Sequence, residues 1–365
     1  MKKIDQYILG KFLTTFFFCI ILFTVIIVVV DISEKTDDFV KANLSAWQIF
    51  SQYYIGFIPR IDAMLFPLFV FLSVIYFTSK MAGRSEIIAI LSSGTSFRRM
   101  LVPYMAGAFI LAGILWMGYQ YVVPKANMKY GDFSKTYIDV NRGMLNTNKS
   151  YIQNLYFKVD KNAYVGIRGY DTVTKTGNGF FYQKFDDSSK LLYNLRASTF
   201  NWDTSSLKWR LSNAVERKIF PISEQVSHAR QLLMNYNFKP IDLRKDEYLK
   251  DQMPTRQLDA YIENERLRGS EGLNDLLVER YNRDAIPVSV IILTVIGMAL
   301  ASRKVRGGSG AHIAIGVLLS VTYILFSRFS VVFATKGSFS PLLAAWTPNL
   351  VFGLLAFYIY KTAPK

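Results

Sequence analysis

Residues 12–30 read FLTTFFFCIILFTVIIVVV, a run without a single charge, and this stretch decides what kind of chain carries it. About 20 mainly apolar residues cross the roughly 30 Å of bilayer hydrocarbon as one helix. Lys2 and Lys3 before the run would suit a secretory signal. The run is too long for one, however, and Asp31-Ile32-Ser33-Glu34-Lys35 after it offers no small-residue cleavage site. A membrane span is therefore expected here.

Further along the chain, residues 100–123 are equally free of charge. Residues 63–79 are shorter, but 46–58 precede them with only Pro59, Arg60 and Asp62 breaking the apolar character. That pattern predicts one long tilted or kinked helix. Residues 285–302, 311–327 and 342–360 supply three more spans, so six are expected, three on each side of a long central segment. The composition agrees: 51% of the 365 residues are hydrophobic, although Lys and Arg exceed Asp and Glu by 43 to 27.

Where that charge sits gives the orientation. With six spans, one set of short loops comprises the N-terminus, residues 80–99, residues 303–306 and the C-terminal tail. It holds twelve basic residues against Asp5 and Glu86, or +10 of the total +16. The positive-inside rule places this set, with both termini, in the cytoplasm and the central segment outside. Most of the basic excess thus follows from topology, and a nucleic-acid partner has no support. Residues 124–250 carry 21 basic and 12 acidic residues, a balance that suits a surface beside an anionic partner and equally a plain solvated domain.

The central segment is long enough for its own core. Runs of β-branched and aromatic residues at 151–159, 163–168, 179–185, 191–202 and 207–220, separated by Asn, Asp and Gly, predict short strands in a sandwich, jelly roll or barrel. After Pro254 the pattern turns helical and charged, with a break at 269–272. The expected architecture is membrane α+β. Residues 1–123 form three spans with a cytoplasmic helix at about 84–94, and 124–253 form a β-jelly-roll-like domain. A helical connector at 254–284 leads to the last three spans at 285–365.

Several chemistries lack their residues. Cys19 is the single cysteine and reads as an apolar filler, while His228 and His312 read as ordinary polar residues. No P-loop, His-Glu-x-x-His or Gly-x-Ser-x-Gly motif occurs. No catalytic residue, metal or cofactor is therefore expected, and the chain should not bind ATP through a P-loop of its own.

Two constellations could carry function. In the cytoplasmic turn from Gly83 to Gly94, Ser85 can cap a short helix, Ile87, Ile88, Ile90 and Leu91 give it an apolar face, and Gly94 can stop it. It is either an interfacial connector or a docking helix, with Glu86 as the carboxylate offered to a partner's arginine. The other is a group of charges at the outer helix ends, among them Asp31, Lys35, Lys41, Arg60, Asp62 and Arg328. They either snorkel and pair, for instance Arg328 with Asp31 or Asp62, or form a basic ring around an anionic headgroup.

Ile4-Asp5-Gln6-Tyr7-Ile8, Ile58-Pro59-Arg60, Leu65-Phe66-Pro67, Gly83-Arg84-Ser85-Glu86 and Ser92-Ser93-Gly94 together resemble the lipopolysaccharide-export permeases of the LptF/LptG type. The likeness continues through Ala197-Ser198-Thr199-Phe200-Asn201-Trp202, Trp209-Arg210-Leu211-Ser212-Asn213 and Arg280-Tyr281-Asn282-Arg283-Asp284-Ala285-Ile286-Pro287. The resemblance implies a Gram-negative inner-membrane subunit that pairs with a second permease over a cytoplasmic ABC ATPase dimer. It also implies that lipopolysaccharide is extracted and handed to a periplasmic bridge protein. Carried over by position, Arg84, Glu86 and Gly94 belong to the helix that engages the ATPase. Lys35, Lys41 and Arg60 lie where the family places basic residues facing lipid phosphates, and Arg328 joins them by position alone. A non-transporting transmembrane scaffold with an outer β domain is the alternative from another class.

Overall fold

A computed structural model describes residues 3–138, 151–160, 162–236, 238–243, 249–268, 272–303 and 309–363. The main helices are α1 (Lys3–Lys41), α2 (Ile55–Gly83), α3 (Glu86–Ser92), α4 (Phe97–Met117) and α5 (Val123–Phe133). After the sheet come α6 (Thr255–Arg268), α7 (Leu273–Ala301), α8 (Ser309–Lys336) and α9 (Pro341–Thr362). Six helical segments among the described residues are long and apolar enough to cross a membrane, and a six-stranded sheet is inserted between the third and fourth. The membrane α+β architecture holds.

By compactness the chain divides into two units. One is Met1–Phe133, Lys250–Leu258 and Asn274–Lys365; the other is Ser134–Leu249 and Asp259–Leu273. Helix α7 runs unbroken from Leu273 through Arg283 into the apolar stretch, so the connector leads straight into the fourth span. The expected turn at 269–272 falls largely outside the described residues.

In the helical unit, α1 is the longest element. Its 39 residues extend about 58 Å at 1.5 Å per residue, roughly twice the hydrocarbon thickness, so residues 31–41 have about three turns to spare. A π-helical turn at Phe50–Tyr54 precedes α2, and both belong to the second candidate span, Ala46–Gly83. That wider turn ends at Ile55, whose carbonyl the ring of Pro59 would crowd in a regular helix. The core between α1, α2 and α4 is aromatic, with Phe12, Phe16, Phe69 and Tyr104 at 1% exposure or less. Gly107 on α4 permits the closest approach: a Cβ there would lie 2.4 Å from the ring of Phe12.

The other unit is an antiparallel meander of β1 (Tyr151–Asp160), β2 (Ala163–Asp171), β3 (Thr176–Phe185), β4 (Leu191–Asp203), β5 (Lys208–Ile219) and β6 (Glu224–Met234). Each strand pairs with its sequence neighbours. The jelly-roll-like expectation thus takes the form of consecutive hairpins, whose connections of two to five residues leave no chain for a crossover. Asp171, Asp186 and Asp203 close three of the turns by accepting backbone N–H bonds two residues on.

One line of residues bends the whole sheet. Asn154, Gly179 and Asn213 have positive φ, and each leaves a gap in the pairing register opposite Arg168 or Ser198. Asn and Gly tolerate that conformation best. On crossing the line the inward parity switches: Val165, Ile167, Leu195, Ala197 and Ala214 are buried on one side, and Tyr170, Phe200, Trp209 and Leu211 on the other. All belong to one apolar cluster. Phe238 and Leu243, beyond β6, fold back to complete that cluster, and the Trp209 indole N–H donates to the Phe238 carbonyl at 2.9 Å.

Candidate functional site

Both constellations belong to the helical unit, at opposite ends of its spans. The end at which the chain leaves for the sheet and returns is the insertion end; the other is the terminal end.

At the insertion end, Asp31 and Lys35 stand one helical turn apart on α1 and pair at 2.6 Å. The hydroxyls of Tyr53 and Tyr54, brought in by the π-helical turn, each donate to the Asp31 carboxylate at 3.1 Å. The Lys35 ammonium also contacts the Tyr53 hydroxyl and lies 4.7 Å from the Tyr53 ring centre and 5.2 Å from that of Phe57. A largely buried cation so enclosed is held by one carboxylate and several ring faces. Lys35 is thus a charge already matched by Asp31, and a phosphate would have to take over Asp31's place.

Arg60 stacks on the ring of Tyr130, 4.4 Å from its centre, and the Lys35 ammonium approaches the same ring at 5.9 Å. These two cations are therefore brought together through one tyrosine on α5. Arg328 is exposed on α8 and reaches the Met64 sulfur on α2 at 3.1 Å, one turn beyond Arg60. It does not pair with Asp31 or Asp62: Asp31 holds Lys35, and Asp62 accepts from Thr24 at 2.6 Å. Lys41, in the last turn of α1, is exposed.

A second network at this end is anchored on α7. Arg283, 1% exposed, donates to Glu279 at 3.1 Å, to the carbonyls of Met253 and Lys250 at 2.8 and 3.0 Å, and to Thr255 at 3.1 Å. Lys250 in turn pairs with Asp275 at 2.5 Å. Residues 250–255 are thereby clamped onto α7. Burial pushes the Asp251 carboxyl above the usual carboxylate range, opposed by the nearby charges of Lys250, Arg60 and Arg283.

At the terminal end, α3 has Ile87 buried at 2% in the helical core, with Ile90 and Leu91 packed against it. Ile88 is 54% exposed, so the expected apolar face is split into a rooted side and an outward side. Gly94, with φ of +86°, ends the segment as expected. Ser85 occupies the N-cap position in a left-handed conformation and makes no side-chain capping bond to α3. Arg84 is exposed and caps the C-terminus of α2. The Glu86 carboxylate accepts from the Tyr7 hydroxyl at 2.9 Å, and a two-pronged Arg99–Asp5 pair fastens the start of α4 to α1.

Paired charges thus mark one end of the helical unit, and a short helix rooted in the core marks the other. A family model for the lipopolysaccharide export system permease LptF/LptG matches residues 6–362. The chain belongs to this permease family. Comparison with curated proteins gives no match. As a lipopolysaccharide-export permease it is a transport subunit with six candidate spans, working within an ABC transporter complex.

Sequence reasoning missed several members of these networks. Tyr53, Tyr54 and Tyr130 were not singled out, Tyr7 and Arg283 appeared only within motifs, and Glu279 only as one of the connector's charges. One signal was available: Asp31 and Lys35, Glu279 and Arg283, and Arg280 and Asp284 all stand four residues apart, the spacing of a helical ion pair.

Proposed function

We propose that this permease subunit extracts lipopolysaccharide from the inner membrane and passes it to a periplasmic bridge, driven by a separate cytoplasmic ABC ATPase dimer and paired with a second permease of the family. The insertion end is then periplasmic and the terminal end cytoplasmic, as the +10 of the short loops favours. Removing several acyl tails from a bilayer costs about 0.8 kcal/mol per CH₂. An external energy source is therefore required.

The observation that carries the reading is α3. Ile87 ties it to the core between α1, α2 and α4, while Ile88 is exposed. A push by a partner on the outward side is transmitted to the spans through a rigid, close-packed core. Arg84, Glu86 and Gly94 set the entry, polar contact and end of that helix. At the other end Arg60, Lys41 and Arg328 would receive lipid phosphates, with Lys35 joining when phosphate replaces Asp31. The sheet's apolar interior would take the acyl chains once Phe238 and Leu243 move aside.

Co-purification in mild detergent tests the assembly: an ABC-type ATPase and a second permease are expected with the wild-type chain. Finding neither would favour the scaffold alternative. Glu86→Ala is expected to lower ATPase recovery and transport together, and full transport at wild-type recovery would refute the coupling role.

A further inference from the structure

The terminal end holds a cleft that shares only Glu86 with the constellations described above. It has a volume of about 480 Å³ and lies between the first turns of α1, the last turns of α2 and the start of α3. Tyr7, Lys11, Thr14, Tyr76, Lys80 and Glu86 are among the residues lining it. The two lysines repeat one motif from opposite walls. Lys11 lies over the ring of Tyr7, one turn earlier on α1, at 4.9 Å, and Lys80 over the ring of Tyr76, one turn earlier on α2, at 5.8 Å. Among the described residues neither ammonium forms an ion pair with a carboxylate.

We propose that this cleft binds the phosphate of an anionic phospholipid headgroup from the leaflet at the terminal end. A ring face attracts an ammonium without neutralising it, so the N–H donors of Lys11 and Lys80 stay available to phosphate oxygens. Glu86 also borders the cleft, but one of its oxygens is engaged by Tyr7, and the two lysines leave the lining net positive. Basic pockets between membrane helices near the cytoplasmic surface suit anionic headgroups, whose acyl tails can follow the apolar helix faces below. Exposed Tyr7 and Tyr76 provide the amphipathic rings that sit at headgroup level. Tyr7 supports Lys11 and also holds Glu86, so an occupied cleft adjoins the helix proposed to meet the ATPase.

The assignment of the leaflet as cytoplasmic rests on the orientation proposed above; the binding itself does not. Native mass spectrometry on the full chain in detergent therefore tests it without transport, ATPase or orientation. The probes are phosphatidylglycerol, phosphatidylcholine of the same chain length, and inorganic phosphate. Selective retention of phosphatidylglycerol is expected, reduced about tenfold in Lys11→Gln/Lys80→Gln and restored by Lys11→Arg/Lys80→Arg, while Lys3→Gln, outside the cleft, changes nothing. Equal retention of the two lipids, an unaffected double variant, or equal loss in Lys3→Gln would overturn the site. Inorganic phosphate binding as tightly as phosphatidylglycerol would assign the cleft to free phosphate and overturn the lipid. An unchanged thermal unfolding midpoint shows that the double variant is folded, and the arginine variant carries the test if it is not.

Discussion

The two ends of the helical unit handle charge differently. At the insertion end Lys35 and Arg283 are each enclosed with a carboxylate and further hydrogen-bond partners, and the more exposed Lys250 pairs with Asp275. At the terminal end the Arg99–Asp5 pair is similarly matched, but Lys11 and Lys80 face a cleft with only tyrosine rings against them. An enclosed pair is costly to break because a buried charge is left behind, whereas an open cation is cheap to change and ready for a ligand. The enclosed cations thus have fixed geometry, whereas Lys11 and Lys80 at the terminal end, like exposed Lys41 and Arg328 at the insertion end, are open to a ligand.

Breaking the enclosed networks should have the largest effect. Arg283→Met strands the carbonyls of Lys250 and Met253 together with Glu279, and is expected to destabilise by about 3–5 kcal/mol. Thermal unfolding in detergent reads it, and a change below about 1 kcal/mol would erase the contrast between enclosed and open cations. Asp31→Ala leaves the Lys35 ammonium among tyrosine rings, with an expected loss of about 2–4 kcal/mol. Lys35→Met together with Asp31→Ala should recover part of it, since the pair then leaves no unmatched charge. By contrast, Lys11→Gln or Lys80→Gln should change stability by no more than about 0.5 kcal/mol. A larger loss would mean that these lysines hold the fold.

Much of this organisation was legible in the sequence. Charge-free runs gave the six spans, because lipid leaves a helix no alternative to satisfying its own backbone. Alternating aromatic and β-branched residues gave five of the six strands. The sixth, β6, reads EQVSHARQLLM and escaped notice because it is an edge strand, largely exposed on both faces, and so carries no strong alternation. The bend through Asn154, Gly179 and Asn213 was hidden for a different reason. A switch of parity within a strand looks, in sequence, like an imperfect alternation, and only the aligned register shows that three strands switch on one line. The basic residues Lys35, Arg60 and Arg328 were found, but their partners were not. Which carboxylate meets which cation depends on a π-helical turn that delivers Tyr53 and Tyr54 to Asp31, and no local pattern announces that turn.

The smallest expected effect lies outside both ends, in the turns of the sheet. Backbone N–H donors of Val173 and Thr174 hold the Asp171 carboxyl below the usual range, and Ser206, Ser205 and Arg210 do so for Asp203. A carboxyl lowered on folding stabilises at pH above its unfolded value of about 3.9, and that contribution is lost as pH falls. Hydrogen exchange at residues 203–208 in the full chain should therefore quicken, relative to its intrinsic rate, between pH 5 and pH 3. Asp203→Asn should blunt the change.

The central claim is that a movement begun at α3 delivers lipopolysaccharide to the cations at the other end. Its most direct test is a photo-crosslinker at position 60 in the reconstituted complex with ATPase and second permease. Lipopolysaccharide should be captured with ATP present, with capture falling at least tenfold without ATP or in Glu86→Ala. No capture at all, or capture equal with and without ATP and in the Glu86 variant, would contradict it.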